Sequence, residues 1–134
     1  MKKTMRKHKL LITLLLGLAC VVPAIASSEE FGGFGTAVAQ IYDEESPNNL
    51  GGVVVLHVFP DSEAEKAGMR AGDIIVEVDG KETGGRTFRD IVLNSLRGDV
   101  GSSSTVKVKR IEQDALITMT VNRALISFPA KSDN

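Results

Sequence analysis

Short apolar and alternating segments, separated by glycine-rich and polar stretches, predict a chain of strands with few helices. The continuous β-branched run from Val53 to Val58 is typical of a strand buried on both faces. Apolar and polar residues alternate over Val106–Lys109 and over Ile117–Val121, which predicts a hairpin of two half-exposed strands. Two further strands are predicted over Thr36–Tyr42 and Ile74–Val78.

Two capping signals predict two helices among these strands. Ser62 followed by Glu65 forms a capping box and begins a short helix, which we expect to end at Gly68. Thr87 and Asp90 repeat the spacing and begin a longer helix. Its predicted inner face carries Phe88, Ile91, Val92, Ser95 and Leu96. Together, the elements predict an α+β fold of five to six strands with one short and one longer helix.

The first 26 residues have the organisation of a signal peptide. A basic start over Met1–Lys9 precedes the apolar segment Leu10–Val22, and small residues follow at Ala24 and Ala26. We expect cleavage after Ala26 and a periplasmic or secreted protein, with a retained membrane anchor as the alternative. The remaining chain divides into a polar lead-in (27–30), one domain (31–126) and a polar tail (127–134).

Cys20, the single cysteine, lies inside this apolar segment. It would attach the protein to a membrane if it were lipidated, but Gly17-Leu18-Ala19 is a poor match to a lipoprotein signal. Removal of the leader would leave 108 residues with 11 basic and 17 acidic side chains, enough for one domain. Such an acidic chain is not expected to bind nucleic acid.

Three stretches resemble the PDZ domain of bacterial carboxy-terminal processing proteases. They are Phe31–Val38 (Phe-Gly-Gly-Phe-Gly-Thr-Ala-Val), the helix-turn-strand segment Asp61–Lys81, and Val106–Arg110 with Ile117–Ile126. The resemblance covers Phe31 to about Ile126. It implies a PDZ-like, partly open barrel or sandwich that binds free carboxyl termini or extended peptides by strand addition. In that family the last stretch leads into a protease core, whereas this sequence ends eight residues after Ile126.

The resemblance also implies a binding site. The backbone N–H groups of the loop formed by Gly33, Phe34, Gly35 and Thr36 would hold the peptide carboxylate. The longer helix aligns with its relatives only when one residue is inserted, and helical spacing assigns its groove positions. The implied groove is lined by Ala37, Val38, Gln40, Phe88, Val92 and Ser95. A Gly35→Val substitution is expected to abolish binding while leaving the fold largely intact.

The loop departs from the family pattern in its surroundings. Many PDZ domains carry a basic residue just before the loop, where this chain has Glu29 and Glu30. Acidic residues at that place would weaken carboxylate binding modestly if they are exposed to solvent and salt. Thr36 replaces a larger apolar residue and predicts a wider or more polar pocket.

Other candidate sites have simpler interpretations. His57 is expected to be a core histidine, and Ser102, Ser103 and Ser104 a polar turn. Ser104 and Lys107 have the spacing of an acyl-enzyme pair, but three residues along a strand place them on opposite faces. The acidic run Asp43-Glu44-Glu45 is expected to be a solvated loop, with a weak calcium site as the alternative. No catalytic residue, metal or cofactor is predicted.

The sequence therefore predicts a non-catalytic adaptor that captures termini or extended segments of envelope or secreted proteins. One alternative is an accessory or truncated relative of a processing serine protease that acts with a partner protease. Another is a structural protein that dimerises through its exposed sheet edge.

Overall fold

The computed structural model describes residues 29–128. The predicted signal peptide, the cleavage site after Ala26, Cys20 and most of the polar tail lie outside these residues. Within the described part of the chain, no helix has the length and apolar character needed to cross a bilayer.

Eight strands and two short helices make up the described domain. The strands are β1 (Glu29–Gly33), β2 (Thr36–Tyr42), β3 (Leu50–Val58), β4 (Ile74–Val78), β5 (Lys81–Glu82), β6 (Ser103–Lys109), β7 (Ile117–Asn122) and β8 (Ala124–Phe128). The helices are α1 (Glu63–Ala67) and α2 (Phe88–Ile91), and α2 continues as a π-helical turn, Val92–Leu96. The α+β class is confirmed, with more strands than predicted.

The strands form two antiparallel sheets. The larger has the order β2-β3-β4-β6-β7, and the short β5 pairs with β4. The smaller contains only β1 and β8, so β2 ends the larger sheet without a strand on its outer side within residues 29–128. Residues 29–128 therefore form an open arrangement with a free sheet edge at β2 and no closed barrel.

Local capping chemistry fixes both helices. The Ser62 hydroxyl accepts from the Glu65 N–H at 3.2 Å, and the Thr87 hydroxyl accepts from the Asp90 N–H at 3.2 Å. Gly68 ends α1 in the left-handed region, with φ 89°. These hydrogen bonds confirm both predicted helix starts and the capping interactions that were predicted to form them. Side-chain caps of this kind stabilise a helix by about 1 kcal/mol each.

The core lies between the larger sheet and the two helices. Its apolar members include Phe34 from the β1–β2 loop, Ile91 and Leu96 from the second helix, and inward residues of β3, β4, β6 and β7. Val53, Ile75, Val106 and Val108 are fully buried, and Val106 and Val108 follow the predicted alternation. The expectation that Val53–Val58 is buried on both faces is wrong, because only one face of the larger sheet packs against the core. Burial alternates from Gly51 to Val55, and Leu56 is 59% exposed.

One buried ion pair joins the β3–β4 connection to the end of β6. Asp73 is 1% exposed, and its carboxylate accepts from Arg110 Nε and Nη2, each at 2.8 Å. The Arg70 N–H donates to the same carboxylate at 2.9 Å. Burial alone would raise the pKa of Asp73, but these hydrogen bonds and the Arg110 charge outweigh it, so the pKa is lowered.

The structure corrects several sequence-based expectations. His57 is exposed instead of lying in the core. The pairing of β2 with β3 has a register shift between Ala37 and Val38, so the regular alternation of inward and outward residues is interrupted there. The His57 ring packs edge-on against Phe59, with the ring centroids 4.9 Å apart. Ser103 and Ser104 belong to β6 and leave only Ser102 outside the strand.

The domain boundaries also differ from prediction. Glu29 and Glu30, assigned to the lead-in, belong to β1. Ser127 and Phe128, assigned to the tail, belong to β8. β1 and β8 pair with each other although almost the whole domain separates them in sequence, and Glu30 for example lies opposite Ser127. A segment-by-segment interpretation of the sequence does not detect such pairing.

Candidate peptide-binding groove

The β1–β2 loop turns sharply at Gly35, which has φ 85°. A Cβ at this position would lie 2.4 Å from the Cβ of Ser62, the residue that caps α1. Glycine is therefore required by backbone conformation and by packing. The expectation that Gly35→Val would spare the fold is not supported, because the new side chain would collide with the start of α1.

The loop carbonyls point into the domain. The Ala64 N–H donates to Phe34 O at 2.9 Å, and the Phe59 N–H donates to Gly35 O at 3.0 Å. Across a trans peptide the C=O and N–H groups point in opposite directions. The N–H groups of Gly35 and Thr36 are therefore directed away from α1 and β3, on the side where both residues line a cavity.

The outer edge of β2 continues this row of outward backbone groups. Thr36 pairs with Val58, and the neighbouring Phe59–Gly35 bond makes Thr36 and Val58 a non-hydrogen-bonded pair. The Thr36 N–H and C=O consequently face away from β3. Because β2 has no strand on that side within the described residues, an incoming strand could pair with them.

The second helix forms the opposite wall, and its last turn is a π turn. The Arg97 N–H donates to Val92 O at 2.9 Å, five residues back, in place of the four-residue spacing of an α-helix. A π turn contains one residue more than an α-helical turn. The extra residue also changes which side chains face β2.

The space between β2 and this helix, here called the groove, contains a cavity of about 640 Å³. Most of its lining is apolar, and it extends from the β1–β2 loop to β8. The lining residues are Phe31, Gly33, Phe34, Gly35, Thr36, Val38, Phe59, Phe88, Val92, Leu96, Arg97, Leu125, Ile126 and Ser127.

Seven of the ten predicted site residues line this cavity. They are the four loop residues Gly33, Phe34, Gly35 and Thr36, together with Val38, Phe88 and Val92. The structure does not bring Ala37, Gln40 or Ser95 to it. Ala37 lies on the other face of β2, opposite the exposed His57.

The Gln40 side chain lies outside the cavity and connects β2 to the residue before the cap of α2. Its Nε2 donates to Arg86 O at 2.6 Å and to Gly51 O at 3.2 Å. Arg86 immediately precedes the cap of α2, so this side chain fixes the start of the helix relative to β2. We assign to Gln40 a structural position next to the groove instead of a place in its lining.

Ser95 is turned away from the groove by the π turn and is 5% exposed. Its hydroxyl accepts from Arg86 Nη1 at 2.8 Å, and its carbonyl accepts from Arg123 Nη2 at 2.7 Å. Leu96 occupies the groove-facing position in its place. Helical spacing alone could not distinguish the two residues, although the one-residue insertion was a signal that the α-helical register changes.

Arg97 is a charged residue of the cavity lining that was not predicted from the sequence. Its guanidinium carbon lies 3.8 Å from the centre of the Phe31 ring. Backbone bonds of 2.9 and 3.0 Å join Gly32 with Gly98 and place Arg97 beside the start of the loop. A Cβ on Gly32 would lie 2.5 Å from Gly98 O, so this close approach requires glycine. Arg97 thus places a basic group near the loop, whereas the positions just before the loop in sequence are the acidic Glu29 and Glu30.

A half-buried ion pair lies near the helix start. Hydrogen bonds from Arg86 and Asn94, with the Arg86 charge, lower the pKa of Asp90 to about 2. Arg86 Nε donates to Asp90 Oδ2 at 2.6 Å, so Asp90 is ionised at neutral pH and holds Arg86 in place.

The other candidate chemistries find no support in the geometry. Ser104 donates to Asp79 at 2.7 Å, while Lys107 pairs with Glu77 at 2.9 Å, so the serine and the lysine have separate partners. Across residues 29–128 no three His, Cys, Asp or Glu side chains are grouped so that they could hold a metal ion.

Comparisons with known proteins identify the fold. A family model described as a PDZ domain matches residues 54–110. The carboxy-terminal-processing protease of Bartonella bacilliformis is 34% identical over 101 residues, which cover 75% of this chain and 21% of that protein. The chain therefore spans about a fifth of the length of this relative.

Two solved structures are similar in fold. The photosystem II D1 C-terminal processing protease has a TM-score of 0.58 and 33% identity, over 79% of this chain and 26% of that one. The PDZ domain of the carboxy-terminal protease from Vibrio cholerae, solved in complex with a peptide, has a TM-score of 0.59 and 19% identity, over 73% and 98%. The domain described here is a PDZ domain, similar to those of carboxy-terminal processing proteases.

Proposed function

We propose that this domain is a non-catalytic module that binds free carboxyl termini, or extended segments, of envelope or secreted proteins by strand addition. It would act as an adaptor that recruits these proteins. A periplasmic or secreted location is part of the proposal and depends on the predicted leader with cleavage after Ala26.

The observation that carries this proposal is the open edge of β2 beside an apolar groove. An extended peptide could pair with the outward backbone groups of β2 and place alternate side chains in the groove. Such a mode uses main-chain hydrogen bonds for affinity and the groove for selection, and it needs no catalytic group.

The end of the groove supports recognition of a free carboxylate. The N–H groups of Gly35 and Thr36 point away from the elements that hold the loop carbonyls, and they would converge on a bound anion. Arg97, stacked on Phe31 in the same cavity, adds a positive charge. A terminal carboxylate would have charge-assisted hydrogen bonds there, whereas an amidated terminus would not.

The side chains of the groove favour an apolar last residue. Phe34 from the loop, Val38 from β2, and Val92 and Leu96 from the second helix all line the cavity. We expect peptides that end in Val, Leu, Ala or Phe to bind with micromolar affinity, about −8 kcal/mol. That strength suits recruitment rather than permanent assembly.

A panel of peptides with free or amidated carboxyl termini tests the proposal. Titration calorimetry or fluorescence polarisation should give tighter binding for free, apolar termini and weaker binding for the amidated partners. Equal binding of the two forms would remove the carboxylate from the proposal, and absence of binding by every apolar peptide would remove the function.

The similarity to processing proteases favours a second candidate, an accessory subunit that delivers substrates to a partner protease. Incubation of the protein with an unfolded substrate, with and without a carboxy-terminal processing protease, separates the two roles. Stimulated cleavage in the mixture would support the accessory role. Cleavage by this protein alone, blocked by serine-directed inhibitors, would contradict the non-catalytic proposal.

A further inference from the structure

Arg123 is a buried cation whose hydrogen-bond partners among residues 29–128 are all neutral. It lies between β7 and β8, is 7% exposed, and donates through Nε to Leu96 O at 3.1 Å and through Nη2 to Ser95 O at 2.7 Å. Its Nη1 donates to the Ser102 hydroxyl at 3.2 Å. These bonds satisfy carbonyls that the end of the π turn would otherwise leave unpaired.

No carboxylate forms an ion pair with Arg123 within the described range 29–128. The Asp79 carboxylate responds to its charge but accepts its hydrogen bonds from Ser104 and the Thr105 N–H. A buried charge is usually paired, because the protein cannot solvate it as water does. Because no carboxylate among residues 29–128 contacts the Arg123 guanidinium, its positive charge acts on groups that lie farther away, as it does on Asp79.

The guanidinium lies directly behind the β1–β2 loop. Its central carbon is 5.1 Å from the centre of the Phe34 ring. A Cβ at Gly98 would lie 2.9 Å from Arg123 Nε, and Gly98 is bonded to Gly32 by two backbone hydrogen bonds. The cation thus lies against Phe34 and Gly98, and Phe34 lines the cavity whereas Arg123 does not.

We propose that Arg123 attracts the terminal carboxylate of the ligand through the floor of the groove, without touching it. This inference rests on the proposed function. Arg97 acts from the groove side, where salt screens it, whereas Arg123 acts across buried protein, where screening is weaker.

The test compares free and amidated forms of one apolar peptide, and its readout is the ratio of their dissociation constants. Arg123→Gln should lower the preference for the free terminus about tenfold, while Arg123→Lys, which keeps the charge, should restore most of it. At about 1 M salt the effect of Arg97→Gln should shrink and that of Arg123→Gln should persist.

A second pair of variants leaves Arg123 and its bonds to the helix in place. Ser102→Asp puts a carboxylate beside the guanidinium, and Ser102→Asn is its neutral match in shape. The aspartate variant should lower the preference for the free terminus several-fold, and the asparagine variant should leave it unchanged. If Arg123→Gln does not fold, these two Ser102 variants test whether the Arg123 charge contributes to the preference for the free terminus.

The outcomes separate this inference from the proposed function. If the unaltered protein binds both peptide forms equally, the carboxylate site itself is wrong. If it prefers the free form, but Arg123→Gln or Ser102→Asp weakens both forms by the same factor, Arg123 is only structural and the inference is overturned.

Discussion

The Arg97 N–H donates to the Val92 carbonyl at 2.9 Å, and this five-residue bond determines which side chains of the second helix face the groove. It turns Ser95 toward Arg86 and Arg123 and leaves Leu96 and Arg97 in the cavity lining. The π turn thus affects only the last lining positions of this helix, whereas Phe88 and Val92 precede the change in spacing.

Deletion of Leu93, which is 43% exposed, should convert the π turn into an α turn. Val92 and Arg97 would then be four residues apart, and Leu96 and Arg97 would keep nearly the same direction. Because the groove lining would be retained, we expect a folded protein whose peptide affinity changes by less than about threefold, which corresponds to about 0.7 kcal/mol. Circular dichroism, peptide titration and a structure of the variant check this. Loss of the fold would show that the extra residue is essential.

Phe88 and Leu93 allow a matched comparison on one helix. Both are large, apolar and about two-fifths exposed, at 41% and 43%, but only Phe88 lines the cavity. Phe88→Ala should weaken peptide binding by about 1 kcal/mol or more, roughly fivefold, through lost apolar contact. Leu93→Ala should leave affinity unchanged. Both should alter stability little, and equal effects on binding would contradict the assignment of this helix face to the ligand.

Thr36→Pro removes one outward N–H and leaves the pairing of β2 with β3 intact. Proline is tolerated where the strand N–H faces away from the sheet. We expect peptide affinity to fall about tenfold, consistent with loss of a hydrogen bond to a charged group. Thermal unfolding should change little.

Ala37→Pro is the control for Thr36→Pro. The Ala37 N–H faces β3, since its neighbour Thr36 is a non-hydrogen-bonded pair with Val58. This substitution should destabilise the domain instead. Unchanged affinity in the Thr36 variant would exclude that N–H from ligand binding.

Acid should weaken the domain through Asp73. Its pKa is lowered on folding, so its contribution to stability is complete above the unfolded value, about 3.9, and is lost as the pH falls through the lower folded value. Asp73→Asn should cost about 3 kcal/mol at neutral pH, because Arg110 would lose its buried partner. Urea unfolding at pH 7 and below pH 4 measures both effects. A variant whose stability still falls as steeply in acid as the parent would contradict this role.

Much of the fold follows from local sequence. Thr36–Tyr42 and Ile74–Val78 were predicted with their observed bounds, because each is bracketed by glycine or proline turns, and Ser62 and Thr87 signalled both helix starts. These features depend on residues within a few positions of one another, where turn and cap chemistry is strongest.

The remainder depends on contacts distant in sequence. The position of β8 follows from pairing with β1, and the position of Arg97 follows from the Gly32–Gly98 bridge. The exposure of His57 and the orientation of Ser95 likewise follow from irregularities, a register shift and a π turn. A periodic pattern assumes regular strands and helices, so it could not predict these departures.

The backbone N–H groups of Gly35 and Thr36 test the central claim most directly. In ¹⁵N–¹H NMR spectra, saturation with a peptide that has a free apolar terminus should shift both resonances downfield and slow their hydrogen exchange, while the amidated peptide should have a much smaller effect. Binding that leaves these two N–H groups unchanged, with shifts confined to another surface, would contradict strand addition at this edge.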